Sequence, residues 1–125
     1  MSRKVVNLSR TSQKLPFSHA IKSKGLIFCS GQIPMDWETG QMIRGDIRVQ
    51  TRQVFENLKK VLAEAGSSLE KVVKVTVFMT DLNEFQAMND VYQEFFPLDP
   101  PARSTVQVSA LAMGAAIEIE LIASE

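Results

Sequence analysis

Residues 72–79 read Val-Val-Lys-Val-Thr-Val-Phe-Met, and this run constrains the fold more than any other stretch of the chain. Its valines and threonine are β-branched, stiff at χ1 and suited to a pleated backbone, so the run is expected to be a strand. Alternation puts Val73, Val75, Val77 and Met79 on one side and Val72 and Phe78 on the other. A strand apolar on both sides belongs to a sheet covered on both faces. The chain needs two layers of cover, from its own helices or from a second copy of itself.

Two helices are on offer. From Asp46 the hydrophobic period becomes helical: Ile47, Val54, Phe55, Leu58, Val61, Leu62 and Ala65 share a face, with Asp46 placed to cap the start and Gly66 to end it. In the second, Asn83 with Gln86 resembles a capping box, Phe85, Met88, Tyr92, Phe95 and Phe96 follow at helical spacing, and Pro97 stops the run. Strands are expected at Lys4–Asn7, Ser18–Lys22 and Leu26–Ser30, with Lys24-Gly25 as the turn between the last two. Residues 31–45 read as loop, punctuated by Pro34, Gly40 and Gly45. Arg103–Val108 and Ile117–Ala123 are the closing strands. The order β-β-β-α-β-α-β-β is that of an α+β layer fold, and right-handed crossovers place both helices on one face. The other face has no helix, so a homo-oligomer is expected to cover it.

Composition removes several functions. A chain of 125 residues is one domain with a real core. Lys+Arg and Asp+Glu balance at 14 each, so no basic excess advertises nucleic acid. One cysteine and one histidine exclude an intrachain disulfide, a thiolate zinc cluster and His-His metal motifs, and argue against a histidine-based triad. The opening MSRKVVNLSR lacks an apolar signal core and no segment approaches the roughly 20 apolar residues of a membrane span, so a cytoplasmic, reducing compartment is the expectation. Neither a metal nor a cofactor is expected.

Chemistry then rests on strand residues. After Pro100 and Pro101, Arg103 shares a face with Thr105 and Gln107, while Val106 and Val108 point away. Glu118 and Glu120 share a face opposite Ile117, Ile119 and Leu121. Arginine needs a partner when it is buried. One reading is an ion pair across the sheet or a subunit interface, the commoner arrangement for such residues. The other is that Arg103 holds a substrate carboxylate with its planar fork while a glutamate positions or deprotonates water. Spacing leaves both open.

The segment PARSTVQVSALAMGAAIEIELIA resembles the signature of the reactive intermediate deaminase (Rid) family, also described as the endoribonuclease L-PSP or translation-inhibitor family. CSGQIPMDWETGQ and VVKVTVFMTDLNEFQAMNDVYQEFF resemble further blocks of that family in the same order, so the likeness spans essentially the whole chain as one domain, residues 1–125. The resemblance implies a chorismate-mutase-like α+β fold: a six-stranded mixed sheet, two helices on one face, and a homotrimer with clefts between subunits. It implies hydrolysis of 2-imino acids such as 2-iminobutanoate and 2-iminopropanoate to 2-keto acids and ammonium, without cofactor or metal. The imines would come from dehydratases that use pyridoxal phosphate. Matched by position, Arg103 binds the carboxylate and Glu118 handles the water. Phe17, Ser30, Gly31, Asn89 and Thr105 match pocket positions, Gly31 and Thr105 through their backbone.

The chain departs from the deaminating members at three points. Phe17 stands where they usually carry tyrosine, Thr105 where they carry cysteine, and the spacer ALAMGAA lacks their Leu-Pro-Lys. These keep a second reading in play, a weakly catalytic or regulatory trimer that binds small carboxylates. A ribonuclease, an activity attached to relatives, is disfavoured by the zero net charge and the single histidine. Elsewhere, Cys29 reads as a small buried hydrophobe, His19 as a satisfied or exposed side chain rather than a base, and Trp37 as a packing residue. Arg44, Arg48 and Arg52 read as a solvated helix face, and the Phe85–Phe96 stripe as core.

Overall fold

The run at 72–79 forms strand β6 (Val72–Met79) in the computed structural model of the chain, which describes residues 2–8 and 15–125. It is preceded by β1 (Lys4–Val6), β2 (Ala20–Ser23), β3 (Leu26–Gln32), β4 (Met35–Asp36), β5 (Gln41–Met42) and α1 (Ile47–Glu64). It is followed by α2 (Phe85–Phe95), β7 (Ala102–Gln107) and β8 (Ile117–Ser124). Six strands form one mixed sheet in the order β1-β2-β3-β8-β6-β7, and β4 and β5 pair separately. β6 and β7 are parallel, joined through α2, and the other neighbours are antiparallel. The architecture is the expected α+β layer fold with a six-stranded mixed sheet and two helices.

Both helices pack on the face carrying Val75, Val77 and Met79 of β6 and Ile117, Ile119, Leu121 and Ala123 of β8. From α1 come Val54, Phe55, Leu58, Val61 and Leu62, and from α2 Met88 and Tyr92, all buried. Phe55 is the aromatic hub between the helices. Its ring stacks on Phe95 at 4.7 Å and meets Tyr92 and Phe96 edge-on at 5.6 Å each. Asp46 caps α1 as expected, its carboxylate accepting from the Val49 amide at 3.1 Å. Gly66, at φ 84°, turns the chain out of α1 while Ser67 N–H reaches back to the Leu62 carbonyl.

Local geometry differs from the sequence expectation at several points. A register shift between Val72 and Lys74 turns Val72 into the core and leaves Val73 48% exposed, the reverse of strict alternation. Residues 31–45 are not all loop: β3 continues through Gln32 and the β4–β5 hairpin follows. Buried Asn57 of α1 holds this segment by donating to the carbonyls of Ile33 and Met35. The Asn83–Gln86 capping box does not form. Instead Asp81 accepts from the Asn83 amide at the start of a 3₁₀ turn, Leu82–Glu84, and Gln86 donates to Asp90. Phe85, expected in the core, is 37% exposed. Arg48 and Arg52 are not merely solvated: they pair with Asp90 and Glu94 of α2 at 2.8 Å each.

Among the described residues no helix covers the other face of the sheet. Val5, Ile21, Phe28 and Ile122 sit side by side across β1, β2, β3 and β8, with Val5 and Phe28 well exposed. Among the described residues no helix is long and apolar enough to cross a membrane. Phe55→Ala should cost about 3 to 5 kcal/mol in urea unfolding, because it empties a fully buried ring site between the two helices and the sheet.

Candidate active site

Arg103 enters the site from β7, paired with Val75 of β6, and so projects on the helix side of the sheet. Its Nη1 donates to Asn89 Oδ1 of α2 at 2.8 Å. Its Cζ lies 4.6 Å from the centre of the Tyr92 ring and 5.4 Å from that of Phe85. The described ion pairs are Lys22–Glu125, Arg48–Asp90, Arg52–Glu94 and Lys59–Glu56, so among the described residues Arg103 has no carboxylate. The ion pair across the sheet that spacing favoured does not form within the chain, and the reason is register. Glu118 is paired with Phe78 and Glu120 with Thr76, which puts both glutamates on the face away from the helices.

Thr105 follows Arg103 on the same side of β7, opposite Val77. Its hydroxyl and that of Tyr92 are buried with no hydrogen-bond partner among the described residues. Burial pushes the Tyr92 phenol up to about 12, against a smaller opposite pull from the Arg103 charge. The first cluster is thus Arg103, Asn89 and Thr105, backed by Tyr92 and Phe85.

A second cluster forms on the opposite face. Between Cys29 and Gln32 the pairing of β3 with β8 slips, so Ser30 and Gly31 together face the single residue Glu120. Gly31 matters here for space. A Cβ at that position would collide with the Glu118 carboxylate. Ser30 is tied back by its hydroxyl, which donates to the Ser18 carbonyl at 2.6 Å, while its amide donates to His19 O. Phe17, next in the chain to Ser18, is 53% exposed. Burial, and secondarily the Glu120 charge, raise the Glu118 carboxyl above its ordinary value.

The structure therefore separates the sequence-derived site into two groups. Arg103, Asn89 and Thr105 lie on the helix side of the β7 edge; Ser30, Gly31 and Glu118 lie on the open face, beside the strand entry that carries Phe17. Strand spacing alone puts the β7 and β8 backbones about 10 Å apart, with the sheet between the two side chains. Within one chain the two side chains project from opposite faces of the sheet. Tyr92 and Phe85 were read as core; their spacing with Asn89, at i, i+4 and i+7 along α2, was the available signal.

The remaining candidates stay structural. Cys29 is buried and its thiol is pushed up to about 12 by that burial. His19 is buried, its Nδ1 accepting from the Leu8 amide at 3.1 Å and its ring 5.4 Å from Trp37, and burial lowers its pKa. Among the described residues no group of three His, Cys, Asp or Glu could hold a metal ion.

The raised Glu118 carboxyl has a measurable sign. The folded chain holds the Glu118 proton more tightly than the unfolded chain does, so folding is penalised once the group ionises. That penalty is absent below the ordinary value of 4.5 and sets in as pH rises through the raised folded-state value. Glu118→Gln stays neutral, so it should melt above the parent near neutral pH and lose that advantage as pH falls below about 4. A scan of melting temperature against pH checks this.

The chain is similar to known proteins over nearly its whole length. The sequence profile of the family described as Endoribonuclease L-PSP matches residues 8–125. A RutC family protein of Pyrococcus abyssi is 48% identical over 124 residues, covering 98% of each chain. The chloroplastic Reactive Intermediate Deaminase A of Arabidopsis thaliana is 39% identical over 125 residues, 99% of this chain and 67% of that protein. Among solved structures, Escherichia coli TdcF with bound serine superposes with a TM-score of 0.90 at 36% identity, covering 98% of both chains. On the match over residues 8–125, the chain belongs to the endoribonuclease L-PSP family, which includes the Rid proteins.

Proposed function

We propose that the protein hydrolyses 2-imino acids of the 2-iminobutanoate and 2-iminopropanoate type to 2-keto acids and ammonium, in clefts where the two clusters of neighbouring copies meet. One observation carries the reading. Arg103 is half-buried, and its neighbours within the chain, Asn89, Tyr92 and Phe85, are neutral. A guanidinium held out of water without an acid is built to receive an anion. A planar carboxylate fits its fork. The serine held by the Escherichia coli relative is itself a small carboxylate with an amine on C2.

Opposite faces require a second copy. The apolar row Val5, Ile21, Phe28 and Ile122 gives that copy a surface to cover, and a homotrimer, the assembly the resemblance implies, closes both clusters into shared sites. In such a cleft Arg103 of one subunit fixes the substrate carboxylate. Glu118 of the next orients a water and takes its proton as the oxygen attacks C2 of the protonated imine. The same carboxyl returns the proton to nitrogen, and the C–N bond breaks with its electron pair on the leaving ammonia. Loss of the hydroxyl proton to that ammonia gives the keto acid and ammonium. A carboxyl whose hold on its proton is strengthened by burial suits both directions of transfer. No metal, cofactor or thiol enters these steps.

Imines of this kind are products of pyridoxal-phosphate dehydratases, so functional coupling to such an enzyme belongs to the proposal. So does a cytoplasmic setting, although the Arabidopsis relative is named as chloroplastic and family membership does not fix the compartment. Phe17, a ring without a hydroxyl, favours the second reading, a carboxylate-binding trimer with little turnover. Tight keto-acid binding with no acceleration of imine hydrolysis would select that reading.

Two measurements test the proposal. Arg103→Lys keeps the charge and loses the fork, so 2-ketobutyrate binding by calorimetry should weaken by about 2 kcal/mol or more, with the fold intact. Unchanged binding would sink the assignment. Mixing equal amounts of unfolded Arg103→Lys and Glu118→Gln chains, then refolding, should restore roughly a quarter of the parent activity, because shared sites recombine intact residues from two chains. No recovery would place both residues in a site of one chain and contradict the two-face arrangement.

A further inference from the structure

An arginine side chain is long and flexible, and one hydrogen bond does not fix the plane of its guanidinium. Three residues of α2 surround that of Arg103. Phe85, Asn89 and Tyr92 fall at i, i+4 and i+7, along the stripe of the helix that faces β7. Two turns separate the Cα atoms of Phe85 and Tyr92 by about 10.5 Å. The Cζ lies over both rings, 5.4 Å from the Phe85 centre and 4.6 Å from the Tyr92 centre, with Asn89 at its Nη1. Tyr92 is itself buried, its ring packed against those of Phe55 and Phe96. Phe85 is the outer jaw, more than a third exposed.

We infer that Phe85 and Tyr92 are positioning residues that clamp the Arg103 guanidinium, so that Asn89 engages one Nη and the remaining N–H edge is presented to an anion. The inference rests on the carboxylate-binding reading of Arg103 and extends it to residues that the sequence marks only as core. The physical role is twofold. The ring faces stabilise the cation where it has no acid partner, and they remove the rotamer freedom that binding would otherwise have to quench. The Tyr92 hydroxyl takes no part, since it is buried and unpartnered among the described residues.

The test uses 2-ketobutyrate as probe and reads both binding and the motion of Arg103. Phe85→Leu, at a partly exposed position, should fold like the parent, weaken keto-acid binding about fivefold and raise KM with kcat unchanged. Phe85→Tyr should restore both values. In ¹⁵N spectra the Arg103 Nη signals, assigned by their disappearance in Arg103→Lys, should be separate in the parent and merge by faster rotation in Phe85→Leu. Parent-like affinity together with parent-like Arg103 rotation in Phe85→Leu would overturn the clamp. Should the parent bind no keto acid, the functional reading fails, and the rotation measurement still decides the clamp by itself.

Discussion

The pairing of β8 between β3 and β6 is the constraint on which the rest depends. It buries Ile117, Ile119, Leu121 and Ala123 under both helices and thereby forces Glu118, Glu120 and Ile122 to the other side. A slip of one residue would drive two carboxylates into the core, which makes this register expensive to alter. Because β7 takes its own facing from β6, Arg103 is committed to the helix side by the same logic. The separation of arginine from glutamate is therefore a property of the core and not a local choice at the site.

Charge follows from that geometry. The carboxylates of α2 nearest α1 are engaged by Arg48 and Arg52 in exposed pairs, each contributing little to stability. They nevertheless leave Asn89, Phe85 and Tyr92 as the α2 residues around Arg103. Across the sheet, Glu118 is pressed against a glycine and a second glutamate, surroundings that favour its protonated form. Among the described residues, one group is a cation without an anion and the other is an acid disposed to hold its proton.

Much of this was legible in the chain. The helical period after Asp46, the β-branched run at 72–79 and the alternation Ile-Glu-Ile-Glu each report a local preference that burial reinforces. What could not be read are features that exist only between elements. The slips between Val72 and Lys74 and between Cys29 and Gln32 are set by the strand partners, with Gly31 the local hint of the second. The Arg48 and Arg52 pairs depend on how α1 lies against α2. Asn83 lost its capping role to Asp81, whose carboxylate closes a tighter turn before the helix begins. Of the candidate site, residue types and positions came from resemblance, while their division between two faces needed the fold.

The burial of Cys29 has a consequence of a different kind. The thiol lies in β3, between β2 and β8, and its ionisation is pushed up to about 12. At neutral pH its reactive thiolate is only about one part in 10⁵ of the population. An alkylating reagent meets an inert molecule until the strand leaves the sheet, after which the thiol reacts as in a free peptide. The chain thus carries its own tracer of opening, a single thiol whose labelling rate counts excursions of the central strands in dilute solution or in a crowded extract, with no engineered probe.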